Sequence, residues 1–239
     1  MKTKIYFLAI ALSICIPRAT AQTWQLVGTQ GFSPPVTQYS LTSIALDHNG
    51  TPYVAYADAT SSDKITVMKF NGVSWVLVGN ANFSAGQGYD VSIAIDTNNL
   101  PYVAYGDAGN LSHTTVMKFN GTNWVSLGGS FPTISNNVDD ILFVCGQMYV
   151  CGSLTTASGN TVNSIARWDG SSWYNLGSGL LNNTLPSTFA TSMAAVGDDL
   201  YTGGNFLTSG DKPASNFAHY KIEGFPEVSI ASASGNICK

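Results

Sequence analysis

Metal sites, nucleophiles and acid–base pairs are built largely from histidine, cysteine, glutamate and paired aspartates, and this chain is sparing with them. Its histidines are His48, His113 and His219. There is no His-x-x-x-His and no Cys-x-x-Cys spacing, so no metal ligands and no cofactor are assigned. The glutamates are Glu223 and Glu227, both near the C-terminal end, which excludes a Glu-based glycosidase pair from the body of the chain. Two aspartate pairs remain, Asp139-Asp140 and Asp198-Asp199. Adjacent residues in a strand point to opposite faces, and in a turn they cap backbone N–H groups. A Gly-x-Ser-x-Gly elbow is absent, and no catalytic residues are assigned. Asp47-His48-Asn49-Gly50 opens like a calcium loop but lacks the further acidic positions and the terminal Glu, which makes it a plain turn.

The polar residues best placed to meet a ligand are Asp58, Asp107 and Asn205. The two aspartates end the matching runs "PYVAYAD" and "PYVAYGD", and Asn205 falls near the equivalent place further on. They could ring one rim of the molecule, and they suit Asx turns equally well. The tryptophans Trp24, Trp75, Trp124 and Trp173 could stack on sugars. Their shared place in a repeat points instead to packing within the fold.

That repeat supplies the elements that must position these residues. "VMKFNGVSW" (67–75) returns as "VMKFNGTNW" (116–124), and the tryptophan spacings are 51, 49 and 49. A period of this length indicates a propeller or solenoid. Each period holds four short β-rich runs bounded by turn residues; in the first they are 42–47, 52–58, 64–70 and 74–79. Asn71-Gly72, Asn120-Gly121 and Asp169-Gly170 are read as tight hairpin turns between the third and fourth runs. Val67/Lys69 alternate with Met68/Phe70, so both faces carry apolar groups, as a sheet packed on two sides requires. The expected architecture is all-β: a propeller of four four-stranded blades at 41–79, 91–128, 138–177 and 190–224. Residues 23–28, a fourth strand without its first three, would complete the last blade and close the ring.

The first 21 residues have a basic start, an apolar run and Ala19-Thr20-Ala21, the pattern of a secretory signal peptide. Its removal leaves seven basic residues against 14 acidic ones, a net charge of about −7 with no basic stripe, so nucleic acid is not an expected partner. No later run is long and apolar enough for a helical membrane span. Cys145, Cys151 and Cys238 remain, an odd number. Cys145 and Cys151 flank the turn at Gly146-Gln147 on opposite sheet faces, so both are expected as buried thiols.

The third and fourth units, "MYVCGSLTTASGNTVNSIARWDGSSWYNLGSGL" and "LYTGGNFLTSGDKPASNFAHY", resemble the kelch-like, galactose-oxidase-central-domain-like β-propeller repeats of large exported bacterial proteins. The first two units resemble a sister subtype. The resemblance covers about residues 23–224 and implies a propeller domain (22–224) without implying an activity. The copper ligands of galactose oxidase have no matching set here. The tail 225–239 is similar to the opening strand of an Ig-like module. The expected role is therefore that of a secreted or cell-surface binding or adhesion module for a glycan or another extracellular protein. A carbohydrate-active enzyme with an Asp-based site and a structural spacer are the alternatives. The divergent loops 29–40, 80–90, 130–137 and 179–191 are the expected recognition elements. A monomer is expected, with a dimer of half-rings as the competing state.

Overall fold

The computed structural model describes residues 23–33, 42–128, 131, 137–182 and 188–223, and every statement of absence below refers to these. The expected signal peptide and the C-terminal tail lie outside them.

The protein is all-β and antiparallel. Unit 1 comprises β1 (Thr42–Leu46), β2 (Pro52–Asp58), β3 (Lys64–Phe70) and β4 (Trp75–Leu77). Unit 2 comprises β5 (Gly88–Ile95), β6 (Pro101–Asp107), β7 (His113–Phe119) and β8 (Trp124–Ser126). Both are four-stranded meanders in chain order. Unit 3 begins with β9 (Val138–Val144) and β10 (Gln147–Gly152), then inserts a hairpin of β11 (Thr156–Ala157) and β12 (Asn160–Thr161). It resumes with β13 (Ile165–Trp168) and β14 (Trp173–Asn175). After β15 (Leu180–Leu181), unit 4 has β16 (Phe189–Val196), β17 (Asp199–Asn205), a hairpin of β18 (Thr208–Ser209) and β19 (Lys212–Pro213), and β20 (Phe217–Lys221). Its sheet stops at three strands, in the order β16-β17-β20.

Local chemistry explains these elements. The strands are Val-, Ile-, Tyr- and Thr-rich, and several in units 1 to 3 end at or just before an Asp or Asn whose side chain holds a turn. Asp47 Oδ1 accepts from Asn49 N and Thr51 N at 2.9 and 2.8 Å, and Asp96 does the same for Asn98 and Leu100. The Asp47 turn is thus a plain Asx turn. The connections from third to fourth strand differ from expectation by one residue. Asn71 N donates to Ser74 O, Asn120 N to Asn123 O and Asp169 N to Ser172 O, so the central pairs begin at the glycine. Positive φ falls on Gly72, Gly121 and Gly170 alone, the φ pattern of a type II′ turn. The preceding Asn or Asp instead accepts from backbone N–H groups two and three residues on.

Sheets stack face to face, with one core between each neighbouring pair. Between units 1 and 2 lie Tyr53, Ala55, Ile65 and Val67 against Val91, Ile93, Val103 and Tyr105. Ala104 and Val116 meet Ile141, Met148 and Val150 in the next interface, and Tyr149, Cys151 and Ile165 meet Leu200, Phe206 and Ala218 in the last. The first strands β1, β5, β9 and β16 run side by side in sequence. The repeated tryptophan fastens each unit to the segment arriving from the one before. Trp75 Nε1 donates to Val27 O at 2.7 Å, Trp124 Nε1 to Val78 O at 2.8 Å and Trp173 Nε1 to Gly128 O at 3.4 Å. Phe32 and Phe83 stack on Trp75 and Trp124, both at 4.4 Å. Gly28 and Gly79, both at positive φ, pass closely over those indoles. The three tryptophans with such a segment are packing residues, and Trp24 is fully exposed.

Of the ring closure expected through residues 23–28, the described residues show one half. The segment sits against unit 1 as a closing strand should, through Val27 and Trp75, but it has no strand pairing with β20. β16 does not pack along β1, and Ile44, Leu46, Val196 and Phe217 stay exposed on the two end faces. No pairing that closes the four sheets into a ring is present among the described residues.

Candidate functional site

Linkers from the preceding unit and connections from second to third strand meet at one end of the sheets. Asp58, Asp107 and Asn205 all stand there, at the ends of β2, β6 and β17, as their spacing implies. Each of them accepts hydrogen bonds from the turns and linkers around it. Asp58 Oδ1 accepts from Thr60 N at 2.9 Å and Thr60 Oγ1 at 2.6 Å, capping the 3-10 turn Ala59–Ser61. Asp107 is 2 % exposed. Its Oδ1 accepts from Gly109 N, in the 3-10 turn Ala108–Asn110, and from Gly86 N in the arriving linker, both at 2.9 Å. The Gly86 and Gly109 backbones touch with no room for a Cβ on either. Tyr105, buried beside Asp107 and hydrogen-bonded to it, has its phenol pushed well above the usual range by burial and by that carboxylate. Asn205 Oδ1 accepts from Asn182 Nδ2 at 3.2 Å, again a residue of the arriving linker.

A second group of carboxylates stands at this end: Asp139 and Asp140, read from the sequence as a pair with opposite-facing or turn-capping side chains, and Asp90, which the sequence reading did not single out. Asp140 stands where the other units have Ser43, Ser92 and Ser192, a departure visible once the repeats are aligned on Ile44, Ile93, Ile141 and Met193. Ser43 Oγ accepts from Ile93 N of unit 2 at 3.1 Å. Asp140 makes the corresponding bond one interface further on, Oδ2 accepting from Met193 N at 2.8 Å, and it also bonds Ser92. It thus bridges three units. Asp139 points the other way, as alternation along β9 requires, and reaches solvent. Asp90, at φ 51, lies in the β-bulge of β5 between Tyr89 and Ser92. The surrounding strands desolvate the Asp139 carboxyl, and the charges of Asp90 and Asp140 add to this, pushing it up to about 6. Burial raises Asp90 also. Neither side chain has a hydrogen-bond partner among the described residues. Such a pair can accept hydrogen bonds from hydroxyl or amine groups and can exchange a proton in mildly acidic solution.

The other candidates are spread out. His48 N and Nδ1 both lie 2.9 Å from Asn99 Oδ1, tying two turns together at the opposite end. His219 Nε2 lies 2.6 Å from Asp199 Oδ1, and Lys221 Nζ lies 2.6 Å from Asp198 Oδ1, so the second aspartate pair is engaged in ion pairs on unit 4. Among the described residues, no three His, Cys, Asp or Glu side chains are grouped to hold a metal ion. The thiol expectation is half corrected. Cys151 is a free thiol with no exposed surface, held well above the usual range by burial, whereas Cys145 is disulfide-bonded. The geometric objection applied only to a bond between these two.

No protein-family model matches the chain, and no curated protein matches it. Among solved structures it is similar to a fucose lectin from Kordia zhangzhouensis in complex with methyl-fucoside, at 15 % identity and a TM-score of 0.40, over 56 % of this chain and 95 % of the lectin. It is also similar to a fungal alcohol oxidase of the AA5 family in complex with copper, at 13 % identity and a TM-score of 0.38. That match covers 82 % of this chain, which spans 56 % of the oxidase. Neither likeness assigns a ligand, a metal or a reaction to this chain.

Proposed function

We propose that the four units are blades of a β-propeller and that the chain is an exported, non-catalytic binding module for a glycan or another extracellular protein. The observation that supports this reading is a division of labour at one rim. Asp58, Asp107 and Asn205 spend their oxygens on holding turns and linkers. Asp90 and Asp139, on neighbouring inner strands, keep theirs available to a hydroxyl-rich or cationic surface. A rigid repeated frame with divergent loops around such a pair is a common arrangement for recognition. A glycan array followed by calorimetry on the best ligand tests it. The variant Asp90→Asn with Asp139→Asn is expected to bind about tenfold more weakly with its fold intact, the scale of one charge-assisted hydrogen bond. Unchanged affinity would overturn the assignment to this rim.

One observation favours a second reading. A carboxyl held near 6 beside another carboxylate is also a pairing that glycoside hydrolysis uses. Turnover of a polysaccharide that is lost in Asp139→Asn would make the protein an enzyme.

A further inference from the structure

The two end faces of the stack carry residues whose counterparts inside it are buried. On unit 1, Ile44 is 67 % exposed, while Ile93 at the same place in unit 2 is 5 % exposed. Leu46, 63 % exposed, corresponds to Ile95, packed in the first interface. On unit 4, Val196 is 65 % and Phe217 62 % exposed; their counterparts Val144 and Ile165 in unit 3 are 4 % and 3 %. Tyr201 stands on the same face, stacked on His219 at 4.9 Å, where unit 3 has Tyr149 and Arg167. One end thus presents the surface that units 2 to 4 turn toward their predecessor. The other presents the surface that units 1 to 3 turn toward their successor.

The strand edges complement each other in the same sense. β20 lacks the fourth strand that β3, β7 and β13 have in β4, β8 and β14. Residues 23–28 have the sequence of such a strand, and Val27 is already held by Trp75 as Val78 is held by Trp124. In complete units the strand-four tryptophan lies against the last aromatic of the third strand. Phe70–Trp75, Phe119–Trp124 and Trp168–Trp173 have ring centroids 5.7, 5.6 and 5.0 Å apart. In unit 4 that aromatic is Tyr220, 41 % exposed, and Trp24 is exposed at the far end of the stack.

We infer that the partner of both ends is a second copy of this chain. Residues 23–28 of each copy add to β20 of the other, with Trp24 on Tyr220, Gln25 opposite His219 and Leu26 opposite Ala218, in the register of β14 on β13. Unit 1 of each copy then covers unit 4 of the other. The contact is made twice about a twofold axis, which closes eight units into one ring and leaves no exposed sheet edge.

The test is light scattering on the intact chain combined with a cysteine pair, Gln25→Cys with His219→Cys. The expected result is twice the chain mass across a wide dilution range and, on oxidation, a covalent dimer. Trp24→Ala, a change at an exposed side chain, is expected to raise the dimer dissociation constant at least about tenfold. A cross-link formed within a single copy at monomer mass would overturn the inference in favour of a four-unit ring. Monomer mass with no cross-link would overturn it as well.

Discussion

Unit 2 differs from unit 4 in how it holds the linker arriving from the preceding unit, and the difference starts from a contrast between units 1 and 2 on one side and units 3 and 4 on the other. In the first pair, the second strand runs into a 3-10 turn capped by an aspartate, and in unit 2 that same carboxylate reaches the linker backbone at Gly86. In the second pair, a hairpin is inserted at the same place. In unit 4 the linker strand β15 pairs with β18, Leu180 opposite Ser209 and Leu181 opposite Thr208, and Leu207 N donates to Leu181 O. One design concentrates the fastening in a buried carboxylate. The other spreads it along a ladder of backbone hydrogen bonds. A single side chain therefore matters far more in unit 2 than its counterpart does in unit 4.

The most direct way to break the comparison is to remove both side chains in turn. Asp107→Ala deletes two bonds to backbone N–H groups and leaves the buried Tyr105 hydroxyl without its partner; it is expected to cost about 2–4 kcal/mol in urea denaturation. Asn205→Ala, with the β15–β18 ladder intact, is expected to cost less than about 1 kcal/mol. Equal costs would remove the distinction. Asp58→Ala should fall between them at about 1 kcal/mol, the usual size of a lost cap.

A smaller effect sharpens the contrast at the rim. Asp139 is raised to about 6, so the folded state holds its proton more tightly than the unfolded chain, whose carboxyl has a pKa near 3.8. Its contribution to stability is complete below 3.8 and is lost as pH rises through about 6. Asp139→Asn should therefore melt above the parent at neutral pH, and the difference should vanish near pH 3.8. A gap independent of pH would show that neither desolvation nor the neighbouring charges raise this carboxyl in the folded state. The smallest expected effect is chemical. Cys151 should resist thiol reagents in the folded protein and react after denaturation without reductant, while peptide mapping finds Cys145 unmodified.

Much of this fold is written locally. β2 and β3 span the very residues 52–58 and 64–70 that alternation and β-branched content mark out, because a strand's conformation depends on its own side chains and on the turn residues that bound it. β5 starts at Gly88 rather than 91, since a bulge at Asp90 extends the pairing past the point where alternation breaks. The rim residues Asp58, Asp107 and Asn205 were legible as a set, because they recur with the period. Their engagement was not, because Gly86 lies 21 residues from Asp107 and Asn182 lies 23 from Asn205.

The sequence by itself determined the repeat, its strands, the packing role of the tryptophan repeated in units 1 to 3, and the two apolar faces of the sheets. Those properties follow from residue type and period alone. Tertiary structure decided which aspartates face solvent, that Asp140 reaches 53 residues ahead to Met193, and that Cys145 is bonded while Cys151 is free. It also decides how far the four sheets turn toward a closed ring. Closure depends on the small angle between successive sheets summed over all the interfaces. That angle is set jointly by side-chain volumes on both sides of each contact, and no single residue encodes it.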